Sequence, residues 1–148
     1  METLVRCAQV EDKDKLVAFL KEANLGTDGV EDSIDCFLIL EDENERIQAT
    51  LGIEPLGKIG LLRSLAMTQR TGENDLLLIL EQMLQLAREK EFNSLFLATN
   101  KSSSLSLFSV LGFEKEEKEN LPQELFASEH VKYIMNVDNS VFMGLKLE

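Results

Sequence analysis

"GLLRSLAMTQRTGENDLLLIL", residues 60–80, decides how this chain reads. Its first eight residues are almost continuously apolar, broken only by Arg63 and Ser64. That is the pattern of a strand buried on both faces of a sheet. Its last residues open an apolar stretch of helical periodicity that continues to residue 90. Between them lie Gln69, Arg70, Thr71, Gly72, Glu73, Asn74 and Asp75. A strand–turn–helix unit in an α/β sheet aims the first free N–H groups of its helix at the carboxyl end of the strand, where they form an anion site. Gly72 allows close backbone approach and Arg70 adds a charged donor. The same residues also read as a simple helix cap, with Thr71 or Asn74 as N-cap and Glu73 and Asp75 set against the helix dipole. From this stretch alone both readings stand.

Working outward, strands are expected at 3–9, 36–42, 47–55, 94–100 and 140–147. In "IQATLGIEP" (47–55), Ile47, Ala49, Leu51 and Ile53 take one face, and Gln48 and Thr50 the other. Residues 10–25 place Leu16, Phe19, Leu20 and Ala23 on one stripe of a helix that Gly26 stops. "GVEDSIDC" (29–36) is a short helix or turn, and "ENER" (43–46) a hairpin turn. A short helix fills 102–113, and Pro122 starts a last helical turn. The strands flanking the long helix are expected to be parallel neighbours through a right-handed crossover.

With 148 residues, 44% of them hydrophobic and 28% charged, the chain has the makings of an ordinary globular domain. No apolar run reaches the roughly 18 residues of a membrane helix, so no membrane partner is expected. The net charge of −12 argues against nucleic acid as a partner, and any anion site must be local. His130 is the only histidine, so a histidine-based metal cluster is excluded and no metal is expected. Cys7 and Cys36 form no disulfide framework and read as small buried hydrophobes of a cytoplasmic protein.

Four segments carry a resemblance: "FLKEANLGTDGVED" (19–32), "ATLGIEPLGKIGLLRSLAM" (49–67), "LFLATNKSSSLSLFSVLGF" (95–113) and "LPQELFASEH" (121–130). Together they resemble the Gcn5-related N-acetyltransferase superfamily, and within it the small amino-acid branch of the arsenic-operon and arginine-acetylating type. The resemblance implies one acyltransferase domain over 1–148. It implies an α/β (α+β) fold with a mixed central sheet of about six or seven strands, helices on both faces and splayed central parallel strands. It further implies acetyl-CoA as co-substrate and a small amine or amino acid as acceptor. A homodimer through the last strand would also follow.

The resemblance assigns the pantetheine arm to the main chain of Leu65, Ala66 and Met67, and the pyrophosphate to the loop from Gln69 to Asp75. Asn100, Ser104 and Phe108 match a second coenzyme wall. Asn74 stands where the family has a small residue, Glu73 and Asp75 where it has neutral or basic ones, so the coenzyme loop is degenerate. Phe108 replaces a tyrosine that protonates the leaving thiolate in many relatives, a task that would fall to water or Ser104. Glu54, in a "G-x-E" match, is the candidate base or amine-binding group, or else a solvated carboxylate at a strand end. A main-chain N–H near Leu65 is the candidate oxyanion donor.

Arg63 sits in an otherwise apolar strand, where a cation is costly unless paired. It is expected either to grip the carboxylate of an amino-acid-like acceptor, with Ser64 beside it, or to form an internal ion pair with Glu54, Asp32 or another internal acid. Asp32 and His130 fall in segments that border the acceptor in this branch, although a solvated turn and an ordinary surface histidine account for them equally in kind. The alternative to an enzyme is a lapsed module of the same fold that binds coenzyme weakly or not at all.

Overall fold

A computed structural model describes residues 3–99, 102–134 and 140–147. Among these residues the strands join in one seven-stranded mixed sheet. The chain divides into two compact units, Met1–Glu54 with Leu62–Lys90, and Pro55–Leu61 with Glu91–Glu148.

In the first unit β1 (Thr3–Cys7) lies antiparallel to β2 (Phe37–Asp42), and β2 antiparallel to β3 (Ile47–Leu56). β4 (Ile59–Met67) follows β3 in the sheet order. Helix α1 (Lys13–Glu22) covers one face, where Leu16 and Leu20 pack with Ala8, Val30, Phe37, Ile39 and Ala66. Helix α2 (Glu73–Glu89) buries Ile79, Leu80, Met83, Leu86 and Ala87 and contacts β1 and β2. Each of the four larger side chains contributes about 1.5–3 kcal/mol and the Ala87 methyl less. Sandwiched between helices, β2 is buried along its whole length, which is why "FLILED" shows no alternation.

The stop of α1 differs from the expectation placed on Gly26. Asn24 takes the left-handed conformation (φ 61°), its N–H bonds to the Lys21 carbonyl at 3.0 Å, and the Leu25 N–H bonds to that of Leu20 at 2.9 Å. Asparagine is the residue after glycine best suited to this C-terminal motif, so the helix ends two residues earlier. Cys7 also departs from expectation. It ends the edge strand β1 and is exposed, whereas Cys36 is buried and its thiol pKa is raised by that burial.

In the second unit Ile59–Leu61 pair in parallel with Ser94–Phe96 of β5 (Ser94–Thr99). The last strand, β7 (Val141–Lys146), pairs with β5 on one side and with the three-residue β6 (Glu114–Glu116) on the other. Both edges of β7 are therefore occupied along those ladders, and β6 is the outer strand. Neither β6 nor the six-residue α4 (Glu129–Ile134) is legible beforehand, because "EKE" has no apolar alternation and one and a half turns set no periodicity. Leu56, Ile59, Leu61, Phe96, Leu121, Leu125, Val131 and Phe142 form this unit's core, and α3 (Ser102–Val110) precedes β6.

One charged cluster fixes the N-terminal strand. The Arg6 guanidinium donates to Asp12 at 2.7 Å through both terminal nitrogens and to Glu41 at 2.7 Å through Nε. This holds the Asp12 carboxyl at about 2, the Arg6 hydrogen bond being the main cause. A depressed carboxylate adds stability above its unfolded value of roughly 3.9 and loses it as pH falls through the folded one. Urea unfolding at pH 5 and pH 2.5 should show this loss, and Asp12→Asn should remove about 2 kcal/mol of it. An unchanged acid response in that variant would exclude the cluster as its source.

Candidate active site

β4 changes character halfway. Its parallel ladder with β5 covers three pairs, Ile59–Leu61 with Ser94–Phe96, and the strand then runs on to Met67. Ser64 has φ 60°, a left-handed conformation inside a strand. For a residue with a side chain that costs on the order of 1–3 kcal/mol and persists only if its surroundings enforce it. Two bonds do so: the Thr50 hydroxyl donates to the Ser64 carbonyl at 2.9 Å, and Arg63 Nε donates to the Ser64 hydroxyl at 3.0 Å. Ser64 is thus an irregular residue inside a strand that continues to Met67. Leu65 is half-buried, the Ala66 side chain enters the α1-side core and Met67 is exposed.

Arg63 meets neither expected acid. Its terminal nitrogens donate to the main-chain carbonyls of Asp28 at 2.7 Å and Gly26 at 3.4 Å, and the guanidinium carbon lies 5.7 Å from the centre of the Phe37 ring. Among the described residues it forms no ion pair, and Asp32 is exposed in the turn. The internal pair is replaced because the 26–28 loop offers carbonyls where a carboxylate was expected. Burial lowers the Arg63 pKa, and the charges of Glu54 and Asp28 oppose that shift. Glu54 is half-buried near the end of its strand. Arg63 is thus a half-buried cation held mainly by neutral oxygens, with two of its five N–H groups left over.

After Met67 the chain makes a turn closed by the Thr71 N–H on the Thr68 carbonyl at 3.2 Å, then enters α2. The N-cap is Gly72, not Thr71 or Asn74. Thr71 is unavailable because its hydroxyl donates to the Gln48 carbonyl at 2.9 Å. Asp75 reaches back to the Gly72 N–H at 3.3 Å, and its other oxygen accepts from the Thr3 hydroxyl at 2.9 Å. Both oxygens of that carboxylate are thereby engaged at the cap. Glu73 is exposed. The N–H groups of Glu73 and Asn74 have no partner among the described residues, as at any helix start that awaits an acceptor. Gln69 and Arg70 form an exposed tip.

In the second unit Ser104 is half-buried on α3. Phe108 is buried, its ring edge-on to Phe113 with centroids 5.4 Å apart. Asn100 lies outside the described residues, as does the side chain of His130 in α4. A polar hollow of about 380 Å³ beside Arg6 is lined by its two ion-paired partners, Asp12 and Glu41, and by Gln9, Glu11, Lys15 and Glu45. No cluster able to hold a metal occurs among the described residues, and none of their helices is long and apolar enough to cross a membrane.

The sequence reading missed Gln48 and Thr50. Both were placed on the polar face of β3, yet both are buried. The available signal was their neighbourhood, since polar side chains on a strand sandwiched by helices need partners.

No model of a known protein family matches the sequence. The chain is 33% identical over 140 residues, 94% of each chain, to a Bacillus subtilis protein named "Uncharacterized protein YwlB". Among solved structures it superposes on N-acetylglutamate synthase of Neisseria gonorrhoeae, complexed with coenzyme A and N-acetyl-glutamate, with TM-score 0.79 and 18% identity. All of this chain is covered there, but only 36% of the synthase. It also superposes on Rv2747 of Mycobacterium tuberculosis, in complex with CoA and NLQ, with TM-score 0.78, 17% identity and coverage of 98% and 99%. A GNAT-family acetyltransferase of Staphylococcus aureus Mu50 follows with TM-score 0.72 and 16% identity, over 99% and 100% of the two chains. The chain therefore belongs to one family with Bacillus subtilis YwlB, and its fold is that of the Gcn5-related N-acetyltransferases.

Proposed function

We propose that the protein is an acetyl-CoA-dependent N-acetyltransferase, acting as one acyltransferase domain, whose acceptor is a small amine that carries a carboxylate. The observation that carries this reading is the course of residues 62–75. A strand with a left-handed Ser64 leads through the Thr68–Thr71 turn into a helix whose first two N–H groups have no partner among the described residues. Such a terminus favours phosphate oxygens over water because the donors are preset and the helix dipole adds to them. The thioester arm would lie along the main chain of Leu65–Met67, and the pyrophosphate would meet Gln69–Asn74. Asp75 accepts from Gly72 and Thr3 but keeps its charge at this helix start, so it weakens the hold on a pyrophosphate there.

The chemistry asks little of side chains. The acceptor loses a proton, to Glu54 or to water, and its nitrogen forms a bond to the thioester carbon. A main-chain N–H near Leu65 takes the charge that develops on oxygen. The carbon–sulfur bond breaks and the thiolate leaves with the proton supplied by solvent, because Phe108 has none to give. Arg63 supports the acceptor class. Its two uncommitted N–H groups suit a carboxylate, and a half-buried cation held mainly by neutral oxygens gains most from an anion.

Thermal denaturation tests the reading. Coenzyme A at a hundredfold excess over its Kd should raise Tm by several degrees, roughly 2–4 °C per kcal/mol of binding for a chain of this length. A screen of amino acids with acetyl-CoA should then find one that is acetylated. Coenzyme binding without turnover of any amine would favour the second reading, a lapsed module of the same fold. The buried, hydroxyl-free Phe108 is the observation on its side. Absence of any shift with millimolar coenzyme A would remove the transferase reading.

A further inference from the structure

A chain of hydrogen bonds, buried at its Gln48–Asp42 link, ties the turn at 68–72 to the far side of the β2–β3 hairpin. The Arg70 N–H donates to the Thr68 hydroxyl at 3.3 Å, which donates to the Gln48 side-chain oxygen at 2.7 Å. The Gln48 amide nitrogen donates in turn to Asp42 at 3.0 Å. Asp42 also accepts the N–H groups of Asn44 at 2.8 Å and Arg46 at 3.0 Å. Those bonds, the one from Arg46 foremost, hold its carboxyl below the ordinary range. Every donor in the series therefore points toward one fixed anion. Hydrogen bonds aligned head to tail polarise one another, so the series is stiffer than its separate links. The main chain of Gln48 adds a second hold, its carbonyl accepting from the Thr68 N–H and the Thr71 hydroxyl, both at 2.9 Å.

We propose that Gln48 is a positioning residue for the diphosphate group of the coenzyme: it presets the Thr68–Thr71 turn so that the N–H groups at the start of α2 face a phosphate without rearrangement. This rests on the transferase reading above. Three facts point to such a role rather than to stability alone. Gln48 is buried, so its amide has no solvent to fall back on. It grips both ends of the turn, Thr68 and Thr71, while leaving the tip at Gln69 and Arg70 open. The turn it shapes has only Gly72 of the glycines that preset such loops in the resembling family, so the order must come from outside the turn. Gln48 touches no ligand in this scheme and acts through Thr68.

The test measures coenzyme A binding by calorimetry together with the melting temperature of the free protein. Gln48→Met keeps length and apolar volume but removes both amide bonds; the Kd should rise about tenfold, the worth of one to two hydrogen bonds. Thr68→Val should raise it similarly, and Thr68→Ser, which restores the hydroxyl, should return it to the wild-type value. That rescue separates positioning from a general loss of packing, and it keeps the test alive if Gln48→Met fails to fold. Wild-type protein that does not bind coenzyme A overturns the transferase reading and this inference with it. Wild-type protein that binds, while Thr68→Val binds equally well, overturns the inference alone.

Discussion

Arg63→Leu is expected to raise the KM for a carboxylate-bearing acceptor by about 100-fold and to leave the Kd for coenzyme A within about twofold. The first figure is the loss of two charge-assisted hydrogen bonds, together near 2.7 kcal/mol. The second follows from where the side chain points: its donors serve Ser64 and the 26–28 loop, and none serves the turn that precedes α2. The same substitution sets the loop carbonyls of Gly26 and Asp28 free, and those sites, being exposed, exchange the guanidinium for water at little cost. Steady-state kinetics on the acceptor that proves active measures the first figure; calorimetry measures the second. An amine without a carboxylate should be insensitive to the substitution. Arg63→Lys should recover only part, because a point charge cannot fork two oxygens. An unchanged acceptor KM would return Arg63 to a purely structural role, that of pinning the 26–28 loop.

The strands and long helices of this chain were legible because each carries enough residues to set a period or a buried run. "CFLILED", "IQATLGIEP", "GLLRSLAM" and "SLFLATN" fall within a residue or two of β2, β3, β4 and β5. What stayed hidden was decided by single partners at long sequence separation. Thr71 reads as an N-cap until Gln48, 23 residues earlier, claims its hydroxyl. Asp75 reads as a charge set against the helix dipole, and its second partner, the Thr3 hydroxyl 72 residues away, has no signal in the local sequence. Arg63 reads as half of an ion pair until loop carbonyls, 35 and 37 residues earlier, supply the acceptors. The left-handed turn of the main chain at Ser64 has no local signal, since serine neither demands nor favours it. Local composition fixes whether a side chain needs a partner, and only the folded chain fixes which one it finds.

Gly52→Ala destabilises the protein by about 3 kcal/mol, at the upper end of what one added methyl does in a packed core. Gly52 and Phe37 are directly opposite one another on β3 and β2. A Cβ at position 52 would lie 2.4, 2.6 and 2.7 Å from three carbons of the Phe37 ring, which itself is fully buried. The ring cannot swing away freely, because it belongs to the cluster with Leu16, Leu20 and Ala66 and lies under the Arg63 guanidinium. Glycine here serves close approach of a ring to a backbone, and its conformational freedom is incidental. Because the displaced ring is also the platform of Arg63, the variant should raise the acceptor KM in the same direction as Arg63→Leu. Phe37→Leu in the Gly52→Ala background should regain part of the loss, whereas Phe37→Leu alone should cost stability. A double-mutant cycle by urea denaturation reads that coupling, expected at about 1 kcal/mol or more. Strictly additive losses would mean that the two residues do not share the space the structure gives them, and the stacking of Gly52, Phe37 and Arg63 would no longer account for how the cation is held.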